Sequence, residues 1–177
     1  NIYSRRLSFD NIKTVKLPDS VKTIGYGAFS YCKNLNSINL PDGLTSIGED
    51  AFYNCTALKT IQLPKTLTSI NSAFRYSGLV EIEIPEGVAV LNYTFYECNK
   101  LCKVILPSSL TTIDSHSFYN CTSLTSITLP QSLLSIGSSA FYGCASLSQI
   151  NLPQAITTIK DDAFAYCSSL REIAIPD

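Results

Sequence analysis

This 177-residue chain repeats itself about every 23 residues. Its eight prolines each follow Leu or Ile directly, and successive prolines are 21 to 23 residues apart. They are Pro18, Pro41, Pro64, Pro85, Pro107, Pro130, Pro153 and Pro176. Seven of the eight phenylalanines keep the same step, from Phe29 to Phe164. A period of this length predicts a solenoid, in which each repeat forms one rung that stacks on the next.

The repeat reads L-P-x-x-L-x-x-I-G-x-x-A-F-x-x-C-x-x-L-x-x-I-x-L-P, and most positions have a structural interpretation. Apolar and polar residues alternate before each proline, which predicts a short strand with one buried face. Proline cannot donate to a strand ladder and therefore ends that strand. We expect the A-F-x-x-C segment to return the chain as a single helical or 3₁₀ turn.

A second turn is predicted seven residues after each proline. Six of the seven residues there tolerate a left-handed backbone, and Lys160 departs from the rule. The six are Gly25, Gly48, Asn71, Asn92, Asp114 and Gly137.

One rung alone buries too little apolar surface to offset the entropy of ordering about 23 residues, so stability depends on stacking. We expect neighbouring strands to lie ~4.8 Å apart in a parallel sheet. Residues 1–177 are therefore interpreted as one elongated domain of about seven repeats, a fragment of a longer protein.

This repeat closely resembles the BspA-like leucine-rich repeats, from about Ile12 to Pro176. The resemblance implies a right-handed leucine-rich-repeat solenoid of the α/β horseshoe class, dominated by β structure. A parallel sheet would form its concave face, with turns, 3₁₀ or helical segments on the other side.

The resemblance also implies a function by class only. Family members are cell-surface or secreted bacterial proteins that bind proteins, so we expect a non-enzymatic adhesion module at the surface or secreted. A host matrix or cell-surface protein would be its partner. A spacer that presents other modules and a glycan-binding module are the alternatives.

Composition excludes other partners. The chain has 13 Lys+Arg against 14 Asp+Glu, a net charge of -1, which argues against nucleic acid and against a polybasic membrane patch. No apolar run approaches the ~18 residues of a membrane-spanning helix. The only histidine, His116, is interpreted as a turn or surface residue rather than a catalytic base. We expect no enzyme activity, no cofactor and no metal site.

Six cysteines occur three residues after a repeat phenylalanine, and Ser77 takes that place in one repeat. They are Cys32, Cys55, Cys98, Cys121, Cys144 and Cys167. Stacking predicts a file of buried, reduced thiols that act as small apolar side chains; disulfides between neighbours are the alternative. Cys102 is out of register and is the candidate for an exposed thiol.

The predicted partner-binding surface is the exposed face of the sheet, formed by residues two and four places before each proline. Most of these residues are small and polar, but charged residues are concentrated on the two short repeats, which run from Pro64 to Pro85 and from Pro85 to Pro107 and have 21 and 22 residues. Glu81 and Lys103 occupy equivalent positions there, so we predict that they are neighbours. Repeat decay without function is the alternative explanation. The candidate partner-binding residues are Gln62, Glu81, Glu83, Lys103, Ile105 and Thr128.

A second candidate surface is rich in tyrosine. Seven of the ten tyrosines lie one or two residues after a repeat phenylalanine, where they either cover the edge of the core, which we favour, or form an interface. They are Tyr31, Tyr53, Tyr76, Tyr96, Tyr119, Tyr142 and Tyr166. At the last rung, Ile173 and Ile175 would form an open strand edge, which predicts either further sequence beyond Asp177 or end-to-end self-association.

Overall fold

The computed structural model describes residues 11–175. Ten short strands pair in parallel, and no helix occurs within those residues. The strands are β1 (Thr14–Lys16), β2 (Thr23–Ile24), β3 (Ser37–Asn39), β4 (Ser46–Ile47), β5 (Glu81–Glu83), β6 (Val90–Leu91), β7 (Lys103–Ile105), β8 (Thr112–Ile113), β9 (Ser135–Ile136) and β10 (Thr158–Ile159).

The strands fall into two files, each running from repeat to repeat. The first file lies before the prolines; it contains the pairs β1–β3 and β5–β7 and continues as single bridges such as Ser126 to Gln149. The second file lies after the prolines; it contains the pair β2–β4 and a four-stranded sheet in the order β6-β8-β9-β10. Residues at the same repeat position are partners, as Val15 and Ile38 are. The fold is therefore a parallel-strand β-solenoid.

The first file confirms the predicted strands before Pro18, Pro41, Pro85 and Pro107, whereas the last three repeats form only single bridges there and residues 58–64 form no strand. The second file was not predicted. Its members are two-residue segments, as in Thr23–Ile24, which are too short to show an alternating pattern along one repeat. The signal was present only as the recurrence of Thr or Ser before Ile in successive repeats.

The return segment forms turns, one of the predicted options, and its hydrogen bonds show why no helix forms there. In the first A-F-x-x-C segment, the Cys32 N–H donates to the Phe29 carbonyl at 3.1 Å, which closes a turn. The Phe29 N–H donates instead to the Ala51 carbonyl of the next repeat at 2.8 Å. A helix would keep every such bond within its own segment. Here alternate N–H groups bond between rungs, so that side of the described chain consists of turns and a second strand file, without helical segments.

The left-handed backbone also lies elsewhere than predicted. Positive φ recurs two residues before and two residues after the repeat phenylalanine, as at Asp50 (57°) and Asn54 (56°) around Phe52. Gly48, at the predicted position, is required for a different reason. A Cβ there would lie 2.9 Å from the Gly25 carbonyl carbon in the preceding rung. Close stacking of the backbones therefore selects this glycine.

The core is organised as two parallel files, one of phenylalanine rings and one of thiols. Ring centroids of successive phenylalanines from Phe29 to Phe164 lie 5.1–5.9 Å apart, with planes within 22° of parallel. From Cys55 onward, the Sγ of each repeat cysteine lies 3.0–3.3 Å from a phenylalanine carbonyl oxygen in the preceding repeat. The rings fill the centre, and the thiols bridge adjacent rungs.

The predicted burial of the six repeat cysteines is confirmed, as is the exposure of Cys102. None of the seven cysteines, all within the described residues, forms a disulfide. Burial disfavours the thiolate and raises the pKa of Cys55 and of Cys98 to about 12. Ser77, which replaces a cysteine, is buried in the file with its Oγ 3.3 Å from Cys98 Sγ.

Candidate functional site

The predicted sheet face is exposed along the whole described chain. From Thr14 to Ala174, every residue two or four places before a proline is exposed. Their alternating partners point into the core, as Ile82 does between Glu81 and Glu83. The face is therefore a continuous accessible surface.

The charged neighbours predicted on this face are confirmed. Glu81 is the register partner of Lys103, and Glu83 is the partner of Ile105. Lys103 Nζ lies 3.8 Å from Glu81 Oε2, and the two side chains are 63% and 54% exposed. An ion pair this exposed stabilises the fold by only ~0–1 kcal/mol, so its charges stay available to a partner.

The candidate residues surround a shallow depression of about 520 Å³. Five of the six predicted residues line it, whereas Thr128 lies outside. The depression spans four rungs where the first strand file is interrupted, because residues 58–64 form no strand. Its lining is Asn36, Ser37, Ile38, Thr60, Ile61, Gln62, Glu81, Ile82, Glu83, Lys103 and Ile105.

A clamp beside this depression joins the second short repeat to the repeat that follows it. The Glu86 carboxylate accepts hydrogen bonds from the Ser108 N–H (2.9 Å), the Ser108 hydroxyl (3.1 Å) and the Ser109 N–H (3.1 Å). These donors favour the ionised form and lower the pKa of Glu86. The Glu86 carboxylate is thus occupied by hydrogen bonds within the fold. The charged residues that line the depression are Glu81, Glu83 and Lys103.

The tyrosine side of the solenoid carries a continuous file of rings. Centroids of successive tyrosines from Tyr31 to Tyr166 lie 4.8–5.5 Å apart. Pairs that both lie one residue after a phenylalanine are parallel, at 8° for Tyr96–Tyr119 and 3° for Tyr119–Tyr142. Pairs that mix the two positions tilt by 53–61°. Spacing from the phenylalanine thus sets the tilt of each ring.

A second ring layer, which was not predicted, flanks this file on two rungs. His116 stacks on Tyr93 with centroids 4.7 Å apart and planes at 13°. Beside them, Arg75 donates from Nε and Nη2 to Asp50 at 2.8 and 2.6 Å and lies 5.6 Å over the Tyr53 ring. Burial disfavours the imidazolium and lowers the pKa of His116. The signal for this layer was an aromatic residue two places before Phe95 and Phe118.

Comparison with known families agrees with the repeat and the fold. The BspA type leucine rich repeat region matches in six copies, over residues 1–92 and 88–177. The chain belongs to this family. The predicted resemblance is confirmed.

Solved structures of bacterial leucine-rich repeat proteins are similar to this BspA-type chain. One from Eubacterium ventriosum is 32% identical with a TM-score of 0.74, over 91% of this chain and 44% of that one. One from Bacteroides ovatus is 30% identical with a TM-score of 0.70, over 92% and 48%. A leucine rich cell surface protein from Faecalibacterium prausnitzii, at 24% identity and a TM-score of 0.65 over 92% and 59%, shares the fold.

The BspA-type chain spans about half the length of these solved relatives, from 44% to 59%. No curated protein matches it. Within residues 11–175 no helix has the length and apolar character needed to cross a membrane. The same residues contain no group of three or more His, Cys, Asp or Glu side chains placed to hold a metal ion.

Proposed function

We propose that this chain is a non-enzymatic protein-binding module of a bacterial cell-surface or secreted protein. The partner is recognised through the sheet face, at Gln62, Glu81, Glu83, Lys103, Ile105 and Thr128. The observation that carries the proposal is the depression on this face, which gathers five of these residues from three rungs. Membership of a family whose fold is typically protein-interacting and generally non-catalytic supports it.

The chemistry of the depression suits a protein partner. Ile105 is 46% exposed although it lies on a strand, so it offers an apolar contact beside charged neighbours. Protein interfaces combine apolar contact at the centre with charged groups that orient the partner. Glu81, Glu83 and Lys103 present two negative charges and one positive charge, which favours a partner with a locally basic surface. An extracellular matrix protein is the expected class, and cell-surface or secreted location is part of the proposal.

Charge reversal at the depression tests this proposal. The chain and its Glu81→Lys and Lys103→Glu variants would be titrated by surface plasmon resonance against immobilised, purified extracellular matrix proteins. We expect at least one matrix protein to bind, with at least a tenfold weaker Kd for Glu81→Lys. Binding should also weaken with ionic strength, because charged contacts are screened.

Lys16→Glu is the matched control, because Lys16 is an exposed charge on the same face but outside the depression. Its Kd should change less than twofold. Equal losses in Lys16→Glu and Lys103→Glu would assign binding to the general charge of the face. Unchanged binding in both depression variants would overturn the site, and absence of binding to every matrix protein would favour a spacer.

A further inference from the structure

The tyrosine side contains a cavity of about 430 Å³ that is separate from the sheet-face depression. No residue lines both. The lining is Tyr53, Arg75, Tyr76, Tyr93, Tyr96, His116 and Tyr119.

The cavity lies at the end of the second ring layer: Tyr93 and His116 line it, and Ser72 of the neighbouring rung does not. Two places before the repeat phenylalanine, successive rungs carry Ser72, Tyr93 and His116. Tyr93 stacks on His116 on one side, and the neighbouring rung on its other side offers only a serine. Ser72 and Tyr93 share a left-handed backbone, with φ of 56° and 51°, so the difference between the rungs is the missing ring.

The two short repeats lose a residue at this cavity. Three residues separate Ile70 from Phe74 and Leu91 from Phe95, whereas four separate Ile47 from Phe52. The shortened segments contain Ser72 and Tyr93 themselves. The two short repeats are therefore irregular on the tyrosine side as well as on the sheet face.

The charges around the cavity disfavour an ionic ligand. The Arg75 guanidinium would repel a cation from the tyrosine rings. An anion would have to compete with Asp50, which already accepts two hydrogen bonds from Arg75. Glu49 lies 3.9 Å from the same guanidinium and adds further negative charge. Burial keeps His116 neutral near pH 7, because it lowers a pKa that is ordinarily 6.5.

The polar groups around the cavity disfavour an apolar ligand. Each of the seven lining side chains carries a hydrogen-bonding group: five phenol hydroxyls, an imidazole and a guanidinium. An apolar occupant would bury these groups without partners, which is costly. The remaining chemistry is a neutral ring with a flat C–H face and hydroxyls at its edge. Such a ring can stack on Tyr93 and bond the surrounding hydroxyls.

We propose that this cavity is a carbohydrate subsite that takes one ring of a neutral oligosaccharide, stacked on the Ser72 side of Tyr93. The subsite is independent of the proposed protein-binding site on the sheet face. A single chain could then contact a protein on one surface and a glycan on the other.

The direct test replaces Ser72 with a residue that carries an aromatic ring. The protein would be screened on an array of neutral and acidic oligosaccharides, and the best neutral glycan titrated by saturation-transfer NMR. Ser72→Tyr places a ring where Tyr93 and His116 have theirs, and should weaken binding of that glycan at least tenfold. Ser139→Tyr adds the same ring at the equivalent position beyond His116, away from the cavity, and should leave the Kd within twofold.

Other outcomes are equally decisive. Tyr93→Ala removes the stacking surface and should abolish binding even if Ser72→Tyr fails to fold, as judged by circular dichroism. Glu81→Lys should leave glycan binding unchanged, which separates this site from the sheet face. The proposal is overturned if no neutral glycan binds, if Ser72→Tyr binds as tightly as the unmodified chain, or if tetramethylammonium or glucuronate binds in place of neutral sugars.

Discussion

Removal of one ring from the phenylalanine file should show how the solenoid is held together. Phe118 is fully buried and stacks on Phe95 at 5.4 Å and on Phe141 at 5.1 Å. Truncation of a buried phenylalanine to alanine costs about 3–5 kcal/mol. Because this ring also loses two stacking partners, we expect Phe118→Ala near the upper end, at ~4–5 kcal/mol.

Phe29→Ala provides the comparison within the same file. Phe29 is only half-buried, and its described ring contact is with Phe52 at 5.5 Å. With less surface removed from the core, its cost should be about half, or ~2 kcal/mol. The difference between the two variants therefore measures how much of the stability comes from rings held on both sides.

Urea unfolding, followed by far-ultraviolet circular dichroism and by tyrosine fluorescence, would measure both costs. For a chain of this length, ~4 kcal/mol corresponds to a fall in Tm of about 8–16 °C. The two signals must coincide for the free energies to be valid, since long repeat arrays can lose cooperativity. Equal costs at Phe118 and Phe29, or a cost below ~1.5 kcal/mol at Phe118, would refute the reasoning.

Three further predictions concern single residues. Gly78→Ala should lower the Tm by several degrees, because its Cβ would overlap the Thr56 carbonyl of the preceding rung. Gly25→Ala should leave the Tm unchanged, because no atom lies within 4 Å of its Cβ. Thermal unfolding compares the two variants. Iodoacetamide should alkylate Cys102 alone in the folded chain and all seven cysteines after unfolding, as counted by mass spectrometry; rapid labelling of a second thiol in the folded chain would contradict the buried file. Because the pKa of Glu86 is lowered in the folded chain, its carboxylate stabilises the fold fully above the ordinary pKa of 4.5, and this effect is lost as the pH falls through the folded pKa. The Tm difference between the chain and Glu86→Gln should therefore shrink below pH 4.5. A difference that grows on acidification would show that the serine clamp does not favour the carboxylate.

Much of the fold could be predicted because equivalent residues of successive repeats become spatial neighbours. The strands before Pro18, Pro41, Pro85 and Pro107, the buried thiols and the pairing of Glu81 with Lys103 all follow from counting along the repeat. The second strand file did not follow. Its two-residue strands, such as Ser135–Ile136, are stabilised by bonds to other rungs and show no periodicity within one repeat.

The return segments were predicted as a single helical or 3₁₀ turn, and the sequence of one repeat does not distinguish these from the turns that form. Within one segment, Asn54 and Cys55 illustrate the actual arrangement: the Cys55 N–H closes a turn to Phe52, while the Asn54 N–H donates to Arg75 in the next rung. Bonding between rungs competes with bonding within the segment, and the stack favours the former at alternate residues. Local propensity alone cannot report this competition.

The candidate surfaces were likewise predicted only in part. Counting along the sequence placed Glu83 and Ile105 on one exposed face, but the depression around them appears only where the strand file is interrupted. The tyrosine cavity was missed because it is lined by side chains from four rungs, among them Arg75, whose guanidinium is held by Asp50.

Each rung stacks on the next with equivalent repeat positions side by side. The repeat pattern in the sequence is therefore enough to specify the strand register, the core files and the residues on each face. The shapes of the two surfaces are different in origin. They arise where single-residue deletions, ring tilts and side chains from three or four rungs combine, and those distances exist only after the rungs have stacked.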